Sequence, residues 1–116
     1  MKTEIKNKFI KELKNKKCVP HEKMVVLKQE EIKDYLSQLK DWEFLETNKI
    51  TKESKFKDFK DAMDFVNKVA GIAEEESHHP DIAIHYNKVE ITLWTHFING
   101  LSINDFIMAA KIGNLI

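Results

Sequence analysis

Apolar positions recur along this chain with two periods, near four residues in some stretches and two in others, and the changes of period divide it into elements. Ile5, Phe9 and Leu13 stand four apart in a lysine-rich start, which predicts a short amphipathic helix or a loosely attached arm. CVPHEKMVVL, residues 18–27, reads as an irregular connector, because Pro20 biases Val19 away from the helical region. Ile32, Tyr35, Leu36 and Leu39 then share one helical face, predicting a helix near 29–39. WEFLET and KITKESKF, residues 42–47 and 49–56, alternate as strands do and meet at Asn48-Lys49, where asparagine tolerates a tight turn.

The strongest helical signal runs from Asp58 to Glu76. Phe59, Ala62, Phe65, Val66, Val69, Ile72 and Ala73 form its apolar stripe, with Asp58 as N-cap and Asp61 placed as in a capping box. Gly71 inside this helix suggests close packing, since glycine there otherwise costs about 1 kcal/mol relative to alanine. DIAIHY and VEITLWTH predict a second hairpin turning at Asn87-Lys88. In its last strand Val89, Ile91, Leu93 and Thr95 fall on one face, and Glu90, Thr92, Trp94 and His96 on the other. Asn99-Gly100 signals a turn, and Ser102 caps a final helix with Ile103, Phe106, Ile107 and Ala110 as apolar positions.

Two hairpins, each followed by a one-faced helix, predict an α+β fold: a two-layer ββαββα sandwich with one antiparallel four-stranded sheet, helices on one face and a helical N-terminal extension. The expected division is a lysine-rich arm over residues 1–20 and one domain over 21–116. A length of 116 residues suits one core rather than two.

Composition changes this picture little. Hydrophobic residues make up 42% and charged residues 33%, as in an ordinary globular chain, and the formal net charge is zero. No global field attracts nucleic acid or an anionic membrane, so direct nucleic-acid binding and membrane association are not expected. No apolar run has the length of a signal peptide or a membrane span, and the expected location is the cytoplasm. Cys18 stands alone, which leaves no intramolecular disulfide and no multi-cysteine zinc site.

Candidate chemistry concentrates in EEESHHPDIAIHYNKVEITLWTH, residues 74–96, which holds four of the five histidines. Three readings compete: histidines left in solvent, a metal site, and an acid/base site. His78 and His79 are adjacent, and adjacent side chains in an extended segment point to opposite sides, a conformation that Pro80 favours at His79. They can line one pocket, but they lack the spacing of zinc ligands, and His85 and His96 do not supply it. Glu74, Glu75 and Glu76 crowd a helix C-terminus, where negative charge is unfavourable by a few tenths of a kcal/mol each, about 0.3 or more. That placement suits an acid/base site, because it favours protonated imidazoles at His78 and His79. His96 can meet them from the strand end, and no serine or cysteine stands beside them as a nucleophile. SIND, residues 102–105, is an S-x-x-D capping box, so Asp105 is explained locally as a helix-start residue. Trp94 shares the His96 face and could wall a pocket, although Trp94 and Tyr86 would ordinarily be packing residues.

At these residues the chain resembles the pterin-4a-carbinolamine dehydratases. The family pattern reads here as Glu74, His78-His79-Pro80, Tyr86, Thr95-His96 and Asp105, and HHPDIAIHYNKVEITLWTH, GLSINDF and AAKI look like family sequence. CVP and LKDWEF resemble bacterial-type members, so the likeness spans about residues 18–113. The resemblance implies two ββα units in one antiparallel sheet and dehydration of a 4a-hydroxy-tetrahydropterin to a quinonoid dihydropterin, a step in pterin recycling. It implies that His78 and His96 are general acids, each for one stereoisomer of the 4a-hydroxyl. His79 would bind substrate, with Glu74, Pro80, Tyr86, Thr95 and Asp105 as binding or supporting residues. It implies no metal and no organic cofactor, and a homodimer or homotetramer. Some family members also serve as dimerisation cofactors of a homeodomain transcription factor, so an oligomeric binding module is the alternative function.

Overall fold

The computed structural model describes residues 13–116. The expectations for Ile5 and Phe9 lie outside the described residues, while Leu13 is fully buried against Ile107 and Ala110. In chain order the elements are a 3-10 turn at His21–Lys23, helix α1 at Gln29–Leu36, strands β1 at Glu43–Leu45 and β2 at Lys49–Lys55, and helix α2 at Phe59–Glu76. Strands β3 at Asp81–His85 and β4 at Lys88–Leu93 follow, then a 3-10 turn at His96–Ile98 and helix α3 at Ile103–Gly113. The four strands form one antiparallel sheet in the order β1-β2-β4-β3, which gives the expected α+β sandwich.

Register decides what each face carries. Ile50 pairs with Leu93, Lys52 with Ile91 and Ser54 with Val89, while Ile82 and Ile84 pair with Ile91 and Val89 from the other side. Side chains opposite one another across an antiparallel pair point the same way, so these residues share the face covered by helices. Val89, Ile91, Leu93 and Ile50 meet Ala62, Phe65, Val69 and Ala73 of α2 and Phe106 and Ala109 of α3 in one core. Lys52 is the charged exception on this face. Burial pushes its ammonium below the usual lysine value, Asp41 opposes that, and its Nζ donates to the Lys40 carbonyl at 3.2 Å.

Several boundaries differ from the sequence reading. Strand β1 is three residues long rather than six, because a three-residue turn takes Glu46–Asn48, with Asn48 left-handed at φ 61°. The second hairpin turns at Tyr86-Asn87, one residue early, with Tyr86 at φ 54°. Helix α1 ends at Leu36, where Ser37 closes onto the Lys33 carbonyl. Strand β4 stops at Leu93, and Thr95 instead bridges Gly100, donating to its carbonyl at 2.8 Å. At that turn Asn99 takes the left-handed conformation (φ 49°), not Gly100. Asp58 accepts from the Asp61 N–H at 2.9 Å, as an N-cap should. Phe59, counted in the buried stripe, is 51% exposed because it stands in the first turn, beyond the sheet.

Gly71 also departs from expectation. A Cβ placed there meets nothing within 4 Å, so this glycine serves no close approach. Gly71→Ala should therefore stabilise the fold by about 0.5–1 kcal/mol, through helix propensity and a less mobile unfolded chain. Urea unfolding should show a higher midpoint with an unchanged slope, whereas a lower midpoint would mean that the position is packed.

Candidate active site

The final strand and the final helix build the site's anchor. Past Leu93 the sheet ladder ends, and the Thr95–Gly100 bridge holds a short loop that leads directly into α3. Ser102 caps α3: its Oγ accepts from the Asn104 N–H at 3.3 Å, and Asp105 Oδ2 accepts from the Ser102 N–H at 3.0 Å. The capping box read from SIND is formed, but Asp105 does more than cap. It is fully buried, and Oδ2 also accepts the Thr95 hydroxyl at 2.8 Å. With its proton given to Asp105, Thr95 Oγ1 accepts from Ser102 Oγ, 2.8 Å away.

Asp105 Oδ1 faces His78 Nε2 at 2.7 Å. With Asp105 as a carboxylate, Oδ1 accepts here as well and His78 donates from Nε2. This contact sets the tautomer and leaves Nδ1 as the ring atom not used by Asp105. His78 itself is only 7% exposed. It arrives there because α2 ends at Ser77 in the left-handed conformation (φ 53°), with the His78 N–H still bonded to the Ala73 carbonyl at 3.2 Å.

His79 points the other way, as adjacent residues of an extended segment do. Its Nε2 lies 2.5 Å from Glu74 Oε2, in a pair exposed to solvent on both sides. Pro80 follows, half-buried, and leads into β3. His96 is exposed and stacks on Trp94, with ring centroids 3.8 Å apart and planes 23° from parallel.

A cleft of about 230 Å³ joins His78, His79, Trp94, Thr95 and His96 with His21, Met24, Ser77 and Phe97. Among the predicted site residues, the three histidines and Thr95 line it directly. Glu74 and Asp105 stand behind His79 and His78. Tyr86 is not brought there: it sits at the tip of the β3–β4 hairpin, 66% exposed. A larger cavity of about 450 Å³, lined by Lys14, Gln38, Trp42, Lys52 and Ala110 among others, contains no histidine. The predicted histidines therefore gather at the smaller cleft.

His21 and Phe97 are lining residues that sequence reasoning missed. Their rings stack at 5.2 Å and 15°, forming one wall. Nothing periodic marks His21, which reaches the cleft because its connector is tied down at two points. Asn104 Oδ1 accepts from the Val19 N–H at 2.8 Å while its Nδ2 donates to the Val19 carbonyl at 2.9 Å. Glu76 Oε1 accepts from the Cys18 N–H at 2.8 Å, so this glutamate serves the connector rather than a histidine. Cys18 is half-buried there, and burial first, then the negative charge of Glu76, pushes its thiol up to about 12.

Among the described residues no three His, Cys, Asp or Glu side chains are grouped to hold a metal ion, and no helix is long and apolar enough to cross a membrane.

One variant tests this anchor, and one labelling experiment tests the connector. Asp105→Ala, which strands His78, Thr95 and the Ser102 N–H in a buried site, should cost about 3–5 kcal/mol in urea unfolding. Cys18 should react with a thiol reagent at pH 8 far more slowly in the folded protein than in urea, because its thiolate is scarce there.

The chain is similar to known proteins over most of its length. The profile of the family described as Pterin 4 alpha carbinolamine dehydratase matches residues 25–115. A protein of Rubrobacter xylanophilus provisionally named pterin-4-alpha-carbinolamine dehydratase is 43% identical over 105 residues, covering 90% of this chain and 98% of its own. A protein of Nitrosospira multiformis with the same provisional name is 49% identical over 107 residues, covering 91% and 94%. Among solved structures, a transcriptional coactivator/pterin dehydratase from Brucella melitensis is similar with a TM-score of 0.76 and 36% identity, covering 78% of this chain and 98% of that one.

Proposed function

The chain belongs to the pterin-4a-carbinolamine dehydratase family, and on that footing we propose that it dehydrates a 4a-hydroxy-tetrahydropterin to a quinonoid dihydropterin by histidine acid/base catalysis. The observation that carries the reading is the convergence of His78, His79 and His96 on one cleft, with a buried carboxylate behind the first.

The reaction needs a proton delivered to the 4a-oxygen. The C4a–O bond then breaks, water leaves, and electron density from the ring nitrogen at position 5 closes the C4a=N5 bond as its proton passes to a base. Hydroxide is a poor leaving group near neutral pH and water a good one, so the general acid supplies the rate. His78 suits the task because Asp105 fixes its ring and compensates positive charge on it. His96, exposed but stacked on Trp94, suits delivery from just past the end of β4. The two acids would then serve the two stereoisomers of the 4a-hydroxyl, one each. His79, steadied by Glu74, offers a hydrogen-bonding contact for the bound ring, and Thr95 holds Asp105 in place. Pro80 keeps the His-His segment extended.

This reading takes a pterin as substrate, requires no metal or organic cofactor, and places the protein in the cytoplasm. The working unit is a homodimer or homotetramer, a reading supported by the large apolar side chains left exposed at Val25, Phe59 and Ile84. Tyr86, exposed on the hairpin tip, would contribute to a site only in such an assembly.

The test is the dehydration rate of enzymatically generated 4a-hydroxy-tetrahydropterin, measured with a chelator present. The intact protein should accelerate it, and His78→Ala and His96→Ala should each lose about 10²–10⁴-fold on the stereoisomer they serve. No acceleration by the intact protein would remove the proposed activity.

A further inference from the structure

His96 presents a problem that His78 does not. Among the described residues no carboxylate holds its ring, it is exposed, and it stands in a one-turn 3-10 segment just past the end of β4. An exposed imidazole in such a loop has free rotation about two side-chain bonds, and a general acid that wanders loses the benefit of placement. Among the described residues, the contact that restrains the ring is Trp94, whose indole lies against it with centroids 3.8 Å apart.

Trp94 is in turn held from both neighbouring strands. Its Nε1 donates to Asp81 Oδ2 of β3 at 3.2 Å. Lys49 of β2 sets its ammonium 4.5 Å from the indole centroid. The register explains why these groups meet: Ile50 pairs with Leu93 and Asp81 with Thr92, so Lys49 and Asp81 flank Trp94 on the open face of the sheet. The indole is thus held from two strands of the sheet, whereas among the described residues the His96 ring is held by the indole.

We propose that Trp94 is the positioning residue for His96, a platform braced by Lys49 and Asp81 that fixes the imidazole plane so that its N–H is directed into the cleft. The inference rests on the reading of His96 as a general acid and goes beyond it by naming what makes an unanchored histidine effective. Aromatic stacking supplies the orientation that Asp105 supplies to His78. Trp94 lines the cleft but transfers no proton, so its loss should fall mainly on the isomer that His96 serves.

The experiment uses the full chain and the two 4a-hydroxyl stereoisomers assayed separately. His96→Ala identifies the isomer that His96 serves. Trp94→Leu should lower turnover on that isomer by roughly tenfold or more, well beyond any loss on the other isomer, and be largely rescued by Trp94→Phe. Asp81→Ala, at an exposed position, should give a smaller loss on the same isomer and covers the case in which Trp94→Leu fails to fold. The His96 ring protons should show upfield NMR shifts from the indole, lost in Trp94→Leu.

Equal losses on both isomers, or no loss on the His96 isomer in either variant, would overturn the proposal while leaving His96 as the acid. If His96→Ala itself changes neither isomer while the ring-current shifts are present, the parent reading of His96 has failed and the positioning role falls with it.

Discussion

The buried side of the cleft depends on a carboxylate that has been taken out of water. Asp105 is fully buried and must find its hydrogen bonds inside the protein, which it does from a backbone N–H, a hydroxyl and an imidazole. A buried charge left unpaired costs several kcal/mol, on the order of 3–5, so each donor is constrained to come to it. Thr95 must leave the strand at the right point, Ser102 must open the helix, and the His-His-Pro segment must bring His78 across from α2. The geometry of the candidate site is in this sense the solution to a solvation problem posed by one residue.

The two histidines nearest the proposed chemistry solve the placement problem by different means. His78 is buried and held by charge, through a hydrogen bond that also chooses its tautomer. His96 is exposed and held by a flat apolar surface. An electrostatic restraint is directional and unforgiving of substitution, since Asp105 has three partners to satisfy. A stacking restraint is less directional and depends on how firmly the platform itself is fixed, which is why the brace across β2 and β3 matters. The connector adds the opposite wall, and Asn104, adjacent to Asp105 in the capped turn, ties it by both halves of its amide.

Much of this was legible in the chain. The alternation of Val89, Ile91 and Leu93 gave the buried face of β4, and the stripe from Ala62 to Ala73 gave the face of α2, because burial imposes those periods directly. The capping residues Asp58 and Ser102 were legible because their chemistry is local. The clustering of His78, His79 and His96 pointed to the cleft, and the family pattern added Glu74 and Asp105. What escaped were contacts between segments distant in sequence. His21 reaches the cleft through Asn104, 83 positions on by residue number (104 less 21), and no period encodes such a contact. Asp105 read as an ordinary cap because the Thr95 and His78 partners lie outside its own turn. Gly71 misled for another reason: a glycine inside a helix suggests close packing, and here a Cβ would meet nothing within 4 Å.

The chain bends left-handed at Asp41, Asn48, Ser77, Tyr86 and Asn99, and none of its described glycines takes a positive φ. Each such residue keeps a Cβ where the backbone crowds it, at about 1–2 kcal/mol for an ordinary side chain and less for asparagine or aspartate. The sequence therefore holds untapped heat resistance in its turns, reachable without disturbing the core. Tyr86 is the largest such reserve on a hairpin tip, while Ser77 adjoins His78, so durability and the placement of that imidazole are traded at a single peptide.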